Sequence, residues 1–309
     1  VNKKRKLRLA GGRFTEVELD DPLQVLVSRA WRSVGRVREP MSTVGSSGPA
    51  SSETPSPSEG LIDMDWMRER RILMAGAGAV GSRNSLLLAP YGVTQVLIDH
   101  DVVELRNTMD GRTVFSKQDV GKLKVFALRD KVVALGPGTS VIAHPRNVNN
   151  MSKAELRHWA RQCDIALVAI DEGRAILHLN EALYPELTVF YQGLHRGGRS
   201  GQVIITRPGS PCLKCCMDVR GGNEIETLHA ERALGIHFGA ISQLAVQLAV
   251  QELAARWGSP LGEPLQHHVS ILFVSNMRSQ LTPQGPAIVS FRVEPDRSCD
   301  VCGGKQERR

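Results

Sequence analysis

The sequence predicts a mostly parallel, doubly wound α/β sheet, and three observations carry that reading. From Arg71 onward, short apolar runs alternate with helical patterns, the texture of repeated β-strand–helix–β-strand units. The first run, RILMA, leads directly into Gly76-Ala77-Gly78-Ala79-Val80-Gly81 and then into a helical pattern. A second run ends in Asp99, eighteen residues past Gly81, where an acidic side chain can meet a ribose.

The elements follow in order. Strands are predicted over 71–76, 94–99, 140–145, 164–171, 187–193 and 201–208, each a short run rich in Val, Ile and Leu. Helices are predicted near 79–90, 121–135, 152–162 and 173–184. A longer one, over 239–257, carries small and branched apolar residues on most faces and is expected to be buried on much of its surface. The late runs 269–276 and 287–295, separated by the turn-rich LTPQGP, predict an antiparallel hairpin.

Residues 1–60 differ in composition. Lys3, Lys4, Arg5, Lys6 and Arg8 open the chain, one amphipathic candidate spans Pro22 to Val37, and MSTVGSSGPASSETPSPSEG follows. Such a Ser/Pro/Gly/Thr tract buries too little apolar surface to offset its ordering entropy. The domain division is therefore a basic, largely disordered leader over 1–60 and a folded domain over 61–309. The 309 residues contain 41% hydrophobic and 23% charged residues, which excludes disorder throughout. No apolar run approaches the roughly 20 residues of a membrane-spanning helix, and the charged start VNKKRKLRLAGGR lacks the apolar core of a secretory signal, so a soluble, cytoplasmic chain is expected. The formal charge of +7 owes five positives to the first eight residues, and aromatics make up 5%. That combination argues against a folded basic face or a base-stacking platform for nucleic acid.

The glycines at 76, 78 and 81 permit a tight turn and bring backbone N–H groups toward phosphates at a helix N-terminus. Six cysteines are present, four of them in two C-x-x-C pairs, Cys212/Cys215 and Cys299/Cys302. In a cytosolic chain that pattern indicates a closed tetrahedral Cys₄ zinc site, structural rather than catalytic, with a redox pair as the alternative. Cys216 adjoins a ligand, and Cys163 opens a predicted strand, where a free thiol packs as a small hydrophobe.

Further motifs arrive in a specific order. Asp99-His100-Asp101 is followed by Asn107, then an arginine, then Asp119-x-Gly121-x-x-Lys124, then a strand ending in Asp171. With the glycine loop and the two cysteine pairs, this series resembles the ubiquitin-activating-enzyme-like superfamily, of the bacterial ThiF, MoeB and HesA adenylyltransferase type. The resemblance spans about residues 66–304. It implies a Rossmann-like sheet whose C-terminal antiparallel portion is tied by the Cys₄ zinc site. It also implies ATP-dependent adenylation of the C-terminal carboxylate of a small ubiquitin-like or sulfur-carrier protein or peptide, with ATP, Mg²⁺ and structural Zn²⁺ as cofactors and a homodimer as the default assembly.

By the same resemblance Lys124 supplies the cation, Asp171 orients Mg²⁺ and the nucleotide, Asn107 contacts phosphate, and Asp99 holds the ribose beside Asp101. The bland alternative for Lys124 is a solvated helix charge beside Lys122 and Lys131. The sequence departs from the pattern at one place. The family arginine stands three residues after the Asn, where this chain has Asp110, and Arg112 follows two residues on; an insertion would return Arg112 to the site. The family's N-terminal arginine segment is missing, and Arg29 and Arg32 are the candidates for its role. The 221–236 stretch, where thioester-forming relatives carry a cysteine, has none; His229 is its nearest reactive side chain, and an ordinary loop histidine is the favoured reading of it. Arg196 and Arg199 lie in a basic loop that suits an acidic carrier or a carboxylate, or equally a merely solvated surface. Two rival readings follow: a catalytically silent partner of another activating subunit, or an NAD-linked dehydrogenase that shares the nucleotide fold.

Overall fold

In the computed structural model of the chain, residues 5–8, 14–17, 61–136, 138–217, 233–259, 261, 269–278 and 282–303 are described. The predicted Pro22–Val37 helix, His229 and the Arg29/Arg32 candidates lie outside them. At the start of the chain β1 (Arg5–Arg8) pairs antiparallel with β2 (Phe14–Val17), which sets Lys6 opposite Glu16. Composition alone did not announce this short hairpin.

The domain opens with α1 (Met64–Arg68), capped by the Asp63 carboxylate, which accepts from the Asp65 and Trp66 N–H groups. Eight strands then form one sheet: β3 (Arg71–Ala75), β4 (Thr94–Ile98), β5 (Val141–His144), β6 (Ile165–Val168), β7 (Thr188–Leu194), β8 (Ser200–Thr206), β9 (Ile271–Ser275) and β10 (Ala287–Phe291). Their order is β10-β9-β8-β7-β6-β3-β4-β5. The pairs from β7 through β6, β3 and β4 to β5 are parallel, and those from β7 through β8 and β9 to β10 are antiparallel. The predicted hairpin is thus β9–β10, and it extends the main sheet instead of standing apart.

Successive residues of a strand face opposite sides, and here both sides are covered, so the central strands read as largely apolar runs, with buried Gln95 and Gln192 among the exceptions. Ile72, Met74, Leu97, Leu167 and Phe190 pack in one core with residues of α2 (Gly81–Leu88), α3 (Lys124–Leu135) and α7 (Gly235–Trp257). Leu73, Ala75, Val96, Val168 and Tyr191 face the other core, with α4 (Lys153–Ala160), α5 (Gly173–Leu183) and part of α6 (Leu213–Met217). The helix α4 begins at a reciprocal cap: Ser152 Oγ accepts from the Glu155 N–H, and the Glu155 carboxylate accepts from the Ser152 N–H. The 23-residue α7 buries Ile241, Ala245, Ala249 and Leu253 against the sheet and ends at Gly258 in the left-handed conformation. Among the described residues no helix is long and apolar enough to cross a membrane.

The chain winds outward from β3 in both directions, with β4 on one side and β6 on the other. The crevice at the C-terminal ends of these strands is the switch point where ligands bind in open α/β sheets. Gly76, Asp99 and Asp171 all follow those strand ends.

Candidate active site

The three glycines of the loop do different work. Gly76 has φ +95°, and a Cβ there would lie 2.5 Å from the Ala169 carbonyl oxygen, so the turn leaving β3 requires glycine. At Gly81 a Cβ would come 1.9 Å from the Gly76 oxygen, so α2 can pack back on the turn only without a side chain. Gly78 has nothing within 4 Å of that position, so open space adjoins the loop there. The residue before α2, Val80, offers no side-chain cap; the Ser82 and Arg83 N–H groups donate to the Gly78 and Val80 carbonyls, so what the helix start offers an anion is chiefly its dipole end.

Asp99 stands against this loop. One carboxylate oxygen accepts from the Ala77 N–H at 2.6 Å and the other from the Asp101 N–H at 2.7 Å. Asp101 reaches across to the start of α3, where Lys124 Nζ donates to its Oδ2 at 2.7 Å and the Lys124 N–H donates to its carbonyl at 2.8 Å. Lys124 is 8% exposed, which separates it from the solvated Lys122. Burial alone would raise the Asp101 carboxyl, but the hydrogen bond and charge of Lys124, helped by His100 and Arg106, hold it below the usual carboxylate range.

Asp119 is structural. It is buried, accepts from the Ser116 N–H and Oγ at 2.8 and 2.9 Å, and pairs with Lys131 at 2.9 Å. Burial opposes its ionisation, but these donors outweigh that and hold its carboxyl far below the usual range. Gly121 has φ +88° and Leu123 is extended, which is why α3 begins at Lys124 and not at 121 as predicted.

Asn107 is half-buried in a short turn. Its side-chain oxygen accepts from the Glu104 N–H at 2.8 Å, and its carbonyl accepts from Thr113 Oγ1 at 2.6 Å. Arg112 lies with its guanidinium 5.1 Å from the centroid of Phe238, at the start of α7. Asp171 is exposed between β6 and α5, beside Glu172, whose carboxylate accepts from Asn149 Nδ2 at 2.8 Å. The structure therefore joins the glycine loop, Asp99, Asp101 and Lys124 through direct hydrogen bonds, and places Asp171 at the adjoining strand end. One residue that sequence reasoning passed over is Arg83, whose guanidinium holds backbone oxygens of the glycine loop and of Arg112. Two positions past Gly81 on a helix, it carries no motif signal that would have singled it out.

The two cysteine pairs converge from positions 87 residues apart. Cys212 Sγ lies 3.6 Å from Cys299 Sγ, and Cys215 Sγ lies 3.4 Å from Cys302 Sγ. All four sulfurs fall within 4.8 Å of one another. Four thiolates about 2.3 Å from one tetrahedral ion stand about 3.8 Å apart, so the cluster suits zinc and is too open for disulfides. Lys214, between the first two cysteines, pairs with Asp300, between the second two, at 2.8 Å and with Glu181 of α5 at 3.0 Å. This ties both turns to the domain. Cys216 is buried and its thiol is pushed well above the usual range by burial; burial likewise pushes Cys163 up to about 12. In the basic loop, Arg199 is exposed.

Residues 56–286 match the model of the ThiF family. The chain belongs to the ThiF family. Among curated relatives, this ThiF-family chain is 26% identical over 239 residues to the molybdopterin-synthase adenylyltransferase of Escherichia coli (strain K12), covering 77% of the chain and 88% of the relative. It is 25% identical over 164 residues to ubiquitin-like modifier-activating enzyme 5 of Caenorhabditis briggsae, covering 50% of the chain but 38% of that protein. The chain thus spans well under half the length of the activating enzyme. Among solved structures, Escherichia coli MccB with ATP aligns at a TM-score of 0.61 and 19% identity, over 78% of this chain and 68% of that one. The structure of the microcin C7 biosynthetic enzyme MccB in complex with N-formylated MccA aligns at 0.62 and 20% identity, over 78% and 69%. These structural neighbours share the fold.

Proposed function

We propose that this ThiF-family chain adenylates the C-terminal carboxylate of a small ubiquitin-like or sulfur-carrier-like protein or a peptide. The observation that carries the reading is the joined set of the open Gly78 loop, Asp99, and the Asp101–Lys124 pair at the switch point of the sheet. A nucleotide there would set its phosphates over the loop and the start of α2, with its ribose toward Asp99. The substrate carboxylate oxygen attacks the α-phosphorus, the bond from that phosphorus to the bridging oxygen breaks, and pyrophosphate leaves with the electron pair. The product is an acyl-adenylate.

Negative charge develops on the α-phosphate oxygens and on the leaving group, so a preorganised cation is worth most at this point. Lys124 is that cation, aimed by Asp101 at the end of a buried stem. Asn107 has its side-chain oxygen committed to the Glu104 N–H, which leaves its carboxamide nitrogen as the donor it would offer a phosphate. Asp171, a carboxylate at the adjoining strand end, suits Mg²⁺, which binds through one or two carboxylates and phosphate oxygens. When bound, the ion neutralises phosphate charge. Arg112 supplies a second cation from the turn after Asn107. The four cysteines hold a structural zinc, and the assembly is a cytoplasmic homodimer.

Pyrophosphate exchange into ATP tests the reading. The probes are a small carrier protein ending in Gly-Gly and a short peptide, each with a free C-terminus and each compared with its C-terminal amide. Exchange with a free carboxylate and none with the amides is expected. ATP binding without exchange for either probe would favour the silent-partner reading, and a melting point raised by NAD but not by ATP–Mg²⁺ would favour the dehydrogenase.

A further inference from the structure

The residues after Asn107 form a tight turn with an uncommon backbone. Asp110 and Gly111 both have left-handed φ values, 54° and 60°, and the Arg112 N–H donates to the Met109 carbonyl at 2.9 Å. Two left-handed central residues make the Asp-Gly pair the favoured choice, yet Asp in that region still costs about 1 kcal/mol and needs surroundings that hold it.

Those surroundings converge on one side chain. Arg83 Nη1 donates to the Ala79 carbonyl at 2.7 Å and to the Arg112 carbonyl at 2.5 Å, and Nη2 donates to the Gly111 carbonyl. One nitrogen therefore sits between the nucleotide loop and the backbone of Arg112. The start of α7 closes the turn from another side: a Cβ on Gly235 would lie 2.2 Å from the Gly111 oxygen and 3.2 Å from Arg83 Nη2. Phe238, one turn further along α7, carries the Arg112 guanidinium.

We infer that Arg83 is a positioning residue that locks the Asp110–Gly111 turn to the glycine loop and so sets the point from which Arg112 reaches the nucleotide. The inference rests on the adenylation reading and deepens it. The turn displaces the arginine from its family spacing, and Arg83 fixes the displaced backbone against Ala79, the residue two before the start of α2. A fork of donors suits this task, because a guanidinium spans several carbonyls at once in a fixed plane.

The test is a double-mutant cycle in pyrophosphate exchange on the full chain, with the free-carboxylate probes named above. Arg83→Gln is expected to lower kcat by about 10-fold or more, the scale of loss for a misplaced group, while the KM for ATP changes little. In an Arg112→Ala background the same substitution should cost nothing further, and Arg83→Lys should restore part of the rate. Full additivity of the two losses, or an unchanged kcat in Arg83→Gln, would overturn the assignment. Amide hydrogen exchange provides a readout that needs no activity. Arg83→Gln should speed exchange at the Arg112 amide about tenfold, the effect of losing hydrogen bonds of ordinary strength, with β3 unchanged. If wild-type chain shows no pyrophosphate exchange, the adenylation reading fails alone, and an unaltered Arg112 amide rate in the variant independently sinks the clamp.

Discussion

Lys124 is joined to Asp101 twice, by its ammonium to the carboxylate at 2.7 Å and by its N–H to the carbonyl at 2.8 Å. The backbone bond fixes where α3 starts, and the side-chain bond fixes where the charge points. Lys124→Ala should therefore lower the exchange rate by 10²–10³, about 3–4 kcal/mol, the cost of deleting a preorganised electrostatic donor. Because Asp101 is half exposed, the lost ion pair itself should cost no more than about 1 kcal/mol of stability. Steady-state kinetics beside a thermal melt separates the two effects.

The cysteine cluster predicts about one zinc per chain in reduced, freshly purified protein. Metal analysis checks this, and chelation should lower the melting point because metal binding is linked to folding. Cys299→Ser should reproduce the loss, since its sulfur stands 3.6 Å from Cys212. A metal-free chain with an unchanged melting point would show that the four thiols serve another purpose.

Asp119 predicts an acid limb of stability. Its folded carboxyl lies far below the usual range, so its contribution is fully present above the unfolded value of about 3.9 and is lost as pH falls toward the folded one. Asp119→Asn removes the pair with Lys131 and should cost about 2–3 kcal/mol at pH 7, the range for hydrogen bonds to charged groups, and less as the pH falls below 4. Denaturant melts at pH 7 and pH 3.5 measure the difference.

Thioester formation on this chain is not expected at Cys163 or Cys216. A nucleophilic thiol needs a stabilised thiolate on an accessible segment. Burial drives both of these thiols the other way, and Cys216 lies next to the cysteine cluster. A non-reducing gel of the chain incubated with ATP and carrier should show no reductant-sensitive adduct, and Cys216→Ser should leave exchange unchanged. An adduct abolished by that substitution would make this a thioester-type activating enzyme.

Much of this arrangement was legible in the sequence for identifiable reasons. A strand covered on both faces is apolar at most positions, so runs such as 71–76 and 164–171 contain the observed β3 and β6. The glycines at 76 and 81 are demanded by contacts that any side chain would violate, which is why they stand out as a motif. Other relationships had no local signal. Three lysines lie close together after Asp119, and only the packed chain decides that Lys124 turns inward to Asp101 while Lys131 meets Asp119. The helix α7 starts four residues earlier than its apolar pattern, and its first residue, Gly235, packs against Gly111, a contact made across more than a hundred residues. Arg83 was invisible for the same reason: its partners are carbonyl oxygens, which every residue carries.

The most direct test of the central claim is the fate of the α-phosphate. The chain is incubated with Mg²⁺, ATP labelled at the α-phosphorus, and the Gly-Gly carrier or the peptide, then quenched in acid. Attack at that phosphorus predicts label on the carrier or peptide as an adenylyl group, released pyrophosphate, and loss of both in Lys124→Ala. Label recovered as ADP with free phosphate, or turnover unaffected by Lys124→Ala, would contradict the account.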